Sequence, residues 1–149
     1  MIVPVQPHWN PFNQLDPGPC IKVIIANTDE TIEAGRAIGF EYPAPHEITA
    51  LLDTGSPFTI VNRVHALNRM LTQTGAGTEI RTLGGKAKCG EHSGTISFPG
   101  TGLKRIETLR ILSRDFEEER HYSCLIGRDV LRYWNISFDG RSKLVTITD

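Results

Sequence analysis

The stretch Glu47-Ile48-Thr49-Ala50-Leu51-Leu52-Asp53-Thr54-Gly55-Ser56 sets an apolar run directly against an acid and three small residues. Ile48, Ala50, Leu51 and Leu52 fit a buried strand. A strand that ends on Asp53 delivers its carboxyl group to a turn, in a low dielectric and within reach of backbone donors. Gly55 lets the chain reverse there without a side chain filling the space beside the acid. Apolar character resumes at Phe58-Thr59-Ile60-Val61. From this stretch alone, an Asp that caps a turn ahead of a following helix reads equally well. Chance supplies such a triplet in about one chain in ten to twenty of this length, so the rest of the sequence has to decide.

Upstream, Ile21, Val23, Ile24 and Ile25 make a short apolar run suited to a buried strand, followed by a polar loop, Ile38-Gly39-Phe40 and the turn Tyr42-Pro43-Ala44-Pro45. Residues 1–19 carry Pro4, Pro7, Pro11, Pro17 and Pro19. Proline removes backbone donors, so these residues read as an arm outside the domain proper. Packing on the domain surface is favoured over a reach to a partner or to a cleft. Downstream, Val61, Val64, Leu67, Met70 and Leu71 recur at helical spacing and predict an amphipathic helix over 61–72, ended by Gly75. Strands are predicted over 78–83, 91–98, 103–112 and 135–147. Glycine turns separate them, with a hairpin signal at Phe138-Asp139-Gly140-Arg141. The charge run 114–120 reads as a solvated loop. A short helix after Gly127 should turn Val130, Leu131 and Trp134 inward. The chain is therefore mostly β, one domain over 20–149, with one or two short helices.

A second motif, Cys124-Leu125-Ile126-Gly127-Arg128-Asp129-Val130-Leu131, follows Asp53 by about 74 residues. Two apolar residues followed by glycine let one strand cross close beneath another loop. Taken alone, the motif is an ordinary strand-to-helix junction. The two motifs in this order resemble the retropepsin-like aspartic proteases, the single-lobe, retroviral-type family, over residues 20–149. The resemblance implies a closed, six-stranded-barrel-like acid protease lobe, completed as a two-fold homodimer. It makes Asp53 the catalytic acid and Thr54, Gly55 and Ser56 its active-site turn, with Thr54 interlocking with its twin across the axis. The hairpin Leu83-Gly84-Gly85-Lys86 becomes a flap over the cleft, and Gly127, Arg128 and Asp129 become structural neighbours of the site. Ile60, Leu83, Leu125 and Ile126 are candidates for substrate pockets. Two departures stand out. Retroviral members often carry an acid that pairs with the later arginine where this chain has Pro57, which leaves Arg128 to Asp129, to a backbone carbonyl or to a purely structural role. The flap also bears Lys86 and Lys88, most simply as solvating charges and otherwise as a bias toward acidic substrates.

The implied chemistry needs two carboxyl groups sharing one proton: one takes a proton from water, and the other stabilises the oxyanion and protonates the leaving amine. At about 3 Å the two cannot both ionise. The chain carries one Asp-Thr-Gly, so a two-fold pair has to bring two Asp53 side chains together. The terminal strand Lys143-Leu144-Val145-Thr146-Ile147 is expected to pair across that dimer. An extended peptide is the implied substrate and a second copy of the chain the implied partner. The rival is a catalytically silent dimeric peptide-binding module of the same fold.

Other classes find little support. A formal charge of −1, with 22% charged and 39% hydrophobic residues, offers no field for nucleic acid and no stretch that spans a membrane. The N-terminus lacks the pattern of a secretory signal. Cys20, Cys89 and Cys124 are odd in number and far apart, which suits neither a disulfide framework nor a zinc site and points to a reducing, cytoplasmic compartment. The histidines are scattered, so no metal or other cofactor is expected. No nucleophile elbow, phosphate loop or dinucleotide fingerprint occurs. A carboxylate-pair glycosidase has only scattered acids in its favour, and the Asn135-Ile136-Ser137 sequon falls in a predicted strand.

Overall fold

The computed structural model describes residues 18–116 and 121–149, together with the backbone of Ile2–Pro4. In chain order the elements are β1 (Ile2–Pro4), β2 (Cys20–Ala26), α1 (Asp29–Ala37), β3 (Glu47–Leu52), β4 (Ile60–Asn62), α2 (Arg63–Asn68) and β5 (Thr72–Gln73). They continue with β6 (Thr78–Thr82), β7 (Gly85–Ser97), β8 (Ile106–Arg114), β9 (Cys124–Ile126), α3 (Arg128–Leu131), β10 (Asn135–Asp139) and β11 (Leu144–Thr148).

Six strands close into a ring in the order β2-β3-β9-β4-β8-β7, and β7 returns to β2 through Ile24↔Ser97, Ile25↔Ile96 and Ala26↔Thr95. Closure removes the open sheet edges that six short strands would otherwise present. The ring is filled by Val23, Ile96, Ile111, Ile126 and Val130, all fully buried. Each such side chain contributes about 1.5–3 kcal/mol on burial. A second sheet, β1-β11-β10, adds Val145 and Ile147 to the same core.

Several expectations need correction. The helix predicted over 61–72 is much shorter. Ile60, Val61 and Asn62 form a strand, Asn62 accepts from the Val64 amide as N-cap, and α2 stops at Asn68. Met70 then takes a left-handed φ of 52°. The cause lies elsewhere in the chain. Buried Asn27 donates to the carbonyls of Arg69 and Met70 and accepts from the amide and hydroxyl of Thr72, which holds the backbone in a turn before Gly75 is reached. The polar loop predicted after Ile25 is instead α1, with Thr28 accepting from Thr31 as N-cap and Asp29 and Glu30 in the first turn. Gly39 (φ 80°) ends this helix through a bond to the Arg36 carbonyl. The chain thus has three short helices among the described residues.

The strand predicted over 91–98 begins earlier, at Gly85, because its first half pairs with β6 as a hairpin beyond the ring. The one predicted over 103–112 begins at Ile106 and runs on to Arg114. The one over 135–147 divides into β10 and β11 at the expected hairpin. Ile2–Pro4, read from its prolines as part of an arm, pairs with Leu144–Thr146. Leu144, Val145 and Thr146 of β11 are therefore paired on both sides within the chain, by β1 and by β10, whereas Ile147 and Thr148 pair with β10. The rest of the predicted arm, residues 1 and 5–17, lies outside the described residues, as do residues 117–120 of the charge run.

Candidate active site

β9 carries the site. It runs parallel to β3 (Ala50↔Cys124, Leu51↔Leu125, Leu52↔Ile126) and antiparallel to β4 (Ile60↔Leu125, Val61↔Cys124). The chain leaves β3, turns at Asp53-Thr54-Gly55 and comes back on the far side of β9 as β4. The turn thus straddles the end of β9, and the Asp53 amide bonds the Ile126 carbonyl at 3.0 Å. Gly127 has to be small at this crossing, since a Cβ there would overlap the Phe58 backbone.

Within the turn, Asp53 Oδ1 accepts from the Gly55 amide at 2.9 Å, and the Ser56 amide bonds the Asp53 carbonyl at 3.2 Å. Asp53 is half-buried as a residue, Thr54 and Gly55 are exposed, and Ser56 is buried with its hydroxyl donating to the Phe58 carbonyl at 2.7 Å. The turn is held by its neighbours from the second motif. Arg128 Nη1 donates to the Thr54 carbonyl at 2.8 Å, and the Arg128 amide donates to the Ser56 carbonyl. A backbone carbonyl is thus the partner of the guanidinium in a chain that has Pro57 nearby. Asp129 instead accepts from the Thr59 hydroxyl at 2.8 Å and the Thr59 amide at 2.9 Å, while that hydroxyl accepts from the Gly127 amide at 3.2 Å. Thr59 is fully buried, and sequence reasoning missed it. The available signal was a hydroxyl flanked by Phe58 and Ile60, at a position where an apolar residue would be ordinary.

The hairpin β6–β7 pairs Thr82 with Gly85 and leaves Leu83 and Gly84 at its turn. Leu83 is wholly exposed. Gly85 sits at φ 115°, a backbone region that favours glycine, and its carbonyl accepts from the Thr82 hydroxyl at 2.9 Å. Lys86 pairs with Glu79 at 3.4 Å, an exposed contact.

A cleft of about 550 Å³ lies between this turn and the end of β8. Phe116, Tyr122 and Leu125 give it apolar walls, and Arg114 and Asp115 give it charge. Of the expected pocket residues, Leu83 and Leu125 line it. Ile126 does not, because alternation along β9 turns it into the ring core. Ile60 lies opposite Leu125 but is closed beneath it, in a small cluster with Cys89 and Leu112. Arg114, Phe116 and Tyr122 were not anticipated. For Arg114 the signal was its position two residues past Leu112, on the same face of β8. The described residues hold no group of three or more His, Cys, Asp or Glu side chains placed to bind a metal.

No protein-family model matches the chain, and no curated protein sequence matches it. Solved structures do. The chain is similar to an EIAV protease complexed with the inhibitor HBY-793, at 22% identity over 81% of this chain and 91% of that one, with a TM-score of 0.51. It is also similar to a retropepsin-like aspartic protease from Rickettsia conorii, at 13% identity over 86% of this chain and 90% of that one, with a TM-score of 0.50. The fold, a ring of six strands with a few short helices, is retropepsin-like. No helix among the described residues is long and apolar enough to cross a membrane.

Proposed function

We propose that the chain is one half of an aspartic endopeptidase whose catalytic unit is a pair of Asp53 side chains, one from each copy of a two-fold homodimer. The observation that carries this reading is the half-buried Asp53 on an outward-facing Thr54-Gly55 turn, in a retropepsin-like fold with one Asp-Thr-Gly in the sequence. In the pair, the ionised Asp53 removes a proton from water as the water oxygen attacks the peptide carbonyl. The protonated Asp53 of the partner subunit hydrogen-bonds the developing oxyanion. As the tetrahedral species collapses, the C–N bond breaks and the amine leaves with a proton from the pair. Gly55 and Arg128 hold the turn in shape, so the carboxyls do not reorganise during the reaction. The β6–β7 hairpin acts as the flap, holding an extended peptide through backbone hydrogen bonds. A reducing, cytoplasmic compartment is part of the proposal, supported by Cys89 and Cys124, which are buried and form no disulfide among the described residues.

The test is a peptide-library digest with wild type and Asp53→Asn, with the mass of each in solution measured alongside. Wild type should cut as a dimer, and the variant should remain dimeric and cut at least about 100-fold more slowly. Equal cutting by the variant would remove Asp53 from the chemistry. Two dimers that bind peptides and cut none would favour a silent binding module.

A further inference from the structure

β8 alternates between the two sides of the ring wall. Ile111 enters the main core and Ser113 bonds buried His92, whereas Leu112 packs in the small cluster beneath Leu125. Arg114 is the next residue on the Leu112 face, which brings it into the cleft beside Phe116, Tyr122 and Leu125, below the Leu83-Gly84 turn.

The charges around it are largely committed. Asp115, the other charged residue lining the cleft, is paired with Arg63 at 3.5 Å. On the hairpin, Lys86 is paired with Glu79, and Lys88 stands opposite Glu79 in the β6–β7 register. Arg110, two residues before Leu112, is paired with Glu91 at 2.6 Å. Arg114 itself is half-buried and has no ion pair among the described residues. Of the two charged side chains among the described residues that line the cleft, Asp115 is paired and Arg114 is not, and Arg114 lies between apolar walls. A guanidinium offers a carboxylate two parallel donors, and it is more readily stripped of water than an ammonium group.

We propose that Arg114 determines specificity. The cleft beneath the hairpin turn takes a glutamate or aspartate side chain of the bound peptide, whose methylene lies against Leu125 and Phe116 and whose carboxylate meets the guanidinium. The proposal deepens the peptidase reading and rests on it for where the substrate lies. It makes acidic peptides the preferred class, through a residue at the end of β8 and not through the flap lysines.

The experiment uses one peptide drawn from the library digest in matched glutamate, glutamine and lysine versions at the position that fills the cleft. Cleavage by wild type, Arg114→Met and Arg114→Glu is compared. Wild type should prefer glutamate over glutamine by about tenfold in kcat/KM, and the preference should weaken as salt rises. Arg114→Met should bring that ratio to about one, and Arg114→Glu should shift the preference to lysine. A glutamate preference that survives Arg114→Met, or no such preference in wild type, would overturn the proposal.

A second arm keeps it separable from the peptidase reading. Binding to Asp53→Asn of labelled library peptides that carry glutamate, glutamine or lysine at each position in turn, chosen without reference to cleavage, is followed by fluorescence anisotropy, with and without Arg114→Met. Binding that discriminates glutamate from glutamine through Arg114, in a protein whose wild type cuts nothing, would sink the peptidase reading and sustain this one. Binding without discrimination would overturn it even in an active enzyme.

Discussion

Asp129 Oδ1 and Oδ2 accept from the hydroxyl and amide of Thr59, 70 residues away in sequence, and Oδ1 also accepts from the Val130 amide. One carboxylate therefore ties the return arm of the Asp53 turn to the start of α3. Hydrogen bonds to a charged group contribute about 1.5–3 kcal/mol each, and a buried donor left unsatisfied costs about 1–3 kcal/mol. Asp129→Ala should lower stability by about 2–4 kcal/mol in a urea titration, and Asp129→Asn by less, because the amide oxygen still accepts. Gly127→Ala tests the crossing itself. Its methyl group meets the Phe58 backbone, which cannot swing away as a side-chain tip could. The expected loss is about 3 kcal/mol or more, with a matching loss of soluble protein on expression. Asp53, Gly127 and Asp129 could all be read from two short motifs. Thr59 is marked locally only as a hydroxyl between Phe58 and Ile60, and its partner Asp129 arrives from 70 residues away.

At the scale of elements, legibility followed how local the controlling interaction is. α3 and the β10–β11 hairpin were readable because apolar spacing and an Asp-Gly turn act within a few residues. The boundaries of α2 were not, because β4 pairs with β8 and β9 up to its start and Asn27 holds the turn past its end from 42 and 43 positions away. α1 was readable in principle from Thr28, the acidic Asp29 and Glu30, and Gly39, but its apolar face is weak: Ile38 is 84% exposed. β1 was masked by the prolines around it. Its register with β11 pairs Ile2 with Thr146 and Pro4 with Leu144, so a three-residue strand covers the edge of the terminal strand. Removing residues 1–4 should uncover that edge. The shortened chain should lose about 1–3 kcal/mol of stability from the missing backbone bonds, read as a lower thermal midpoint. It should also associate with rising concentration in light scattering, as an open edge recruits another chain. Unchanged stability and mass would show that β1 adds nothing to the domain.

At the scale of the whole molecule, the ring and the crossing of β9 between β3 and β4 follow from the order of the two motifs, yet the fold's response to pH follows from histidines that no motif marks. His92 is buried against Ser113, with its Nε2 2.8 Å from the hydroxyl, and burial pushes its pKa below the usual histidine value. His65 is likewise lowered, first by burial and then by His46 and Arg69 beside it. A group whose folded pKa lies below its unfolded pKa takes up its proton more readily when the chain is unfolded. Above about pH 6.5 both states are neutral and the histidines are silent. As pH falls through 6.5 the unfolded chain gains protons that the native fold resists, and stability falls by at most about 1.4 kcal/mol per pH unit for each histidine. Glu91 acts in the same direction at lower pH. Its carboxylate is held below the usual range chiefly by Arg110 and then by Thr78, so the stability it adds is present above its unfolded pKa and fades as it protonates. Urea titrations from pH 7.5 to 5 should therefore give a midpoint that drops steadily below pH 6.5. Replacing His92 by Gln, which keeps a hydrogen-bonding side chain beside Ser113 but does not titrate, should flatten that slope. A slope unchanged in the variant would move the acid sensitivity away from His92. In the peptidase proposed above, the domain that holds Asp53 would lose stability in acid through these histidines, and cleavage with it. The low-pH limit of cleavage is expected to track unfolding, and His92→Gln should extend it downward without moving the high-pH limit.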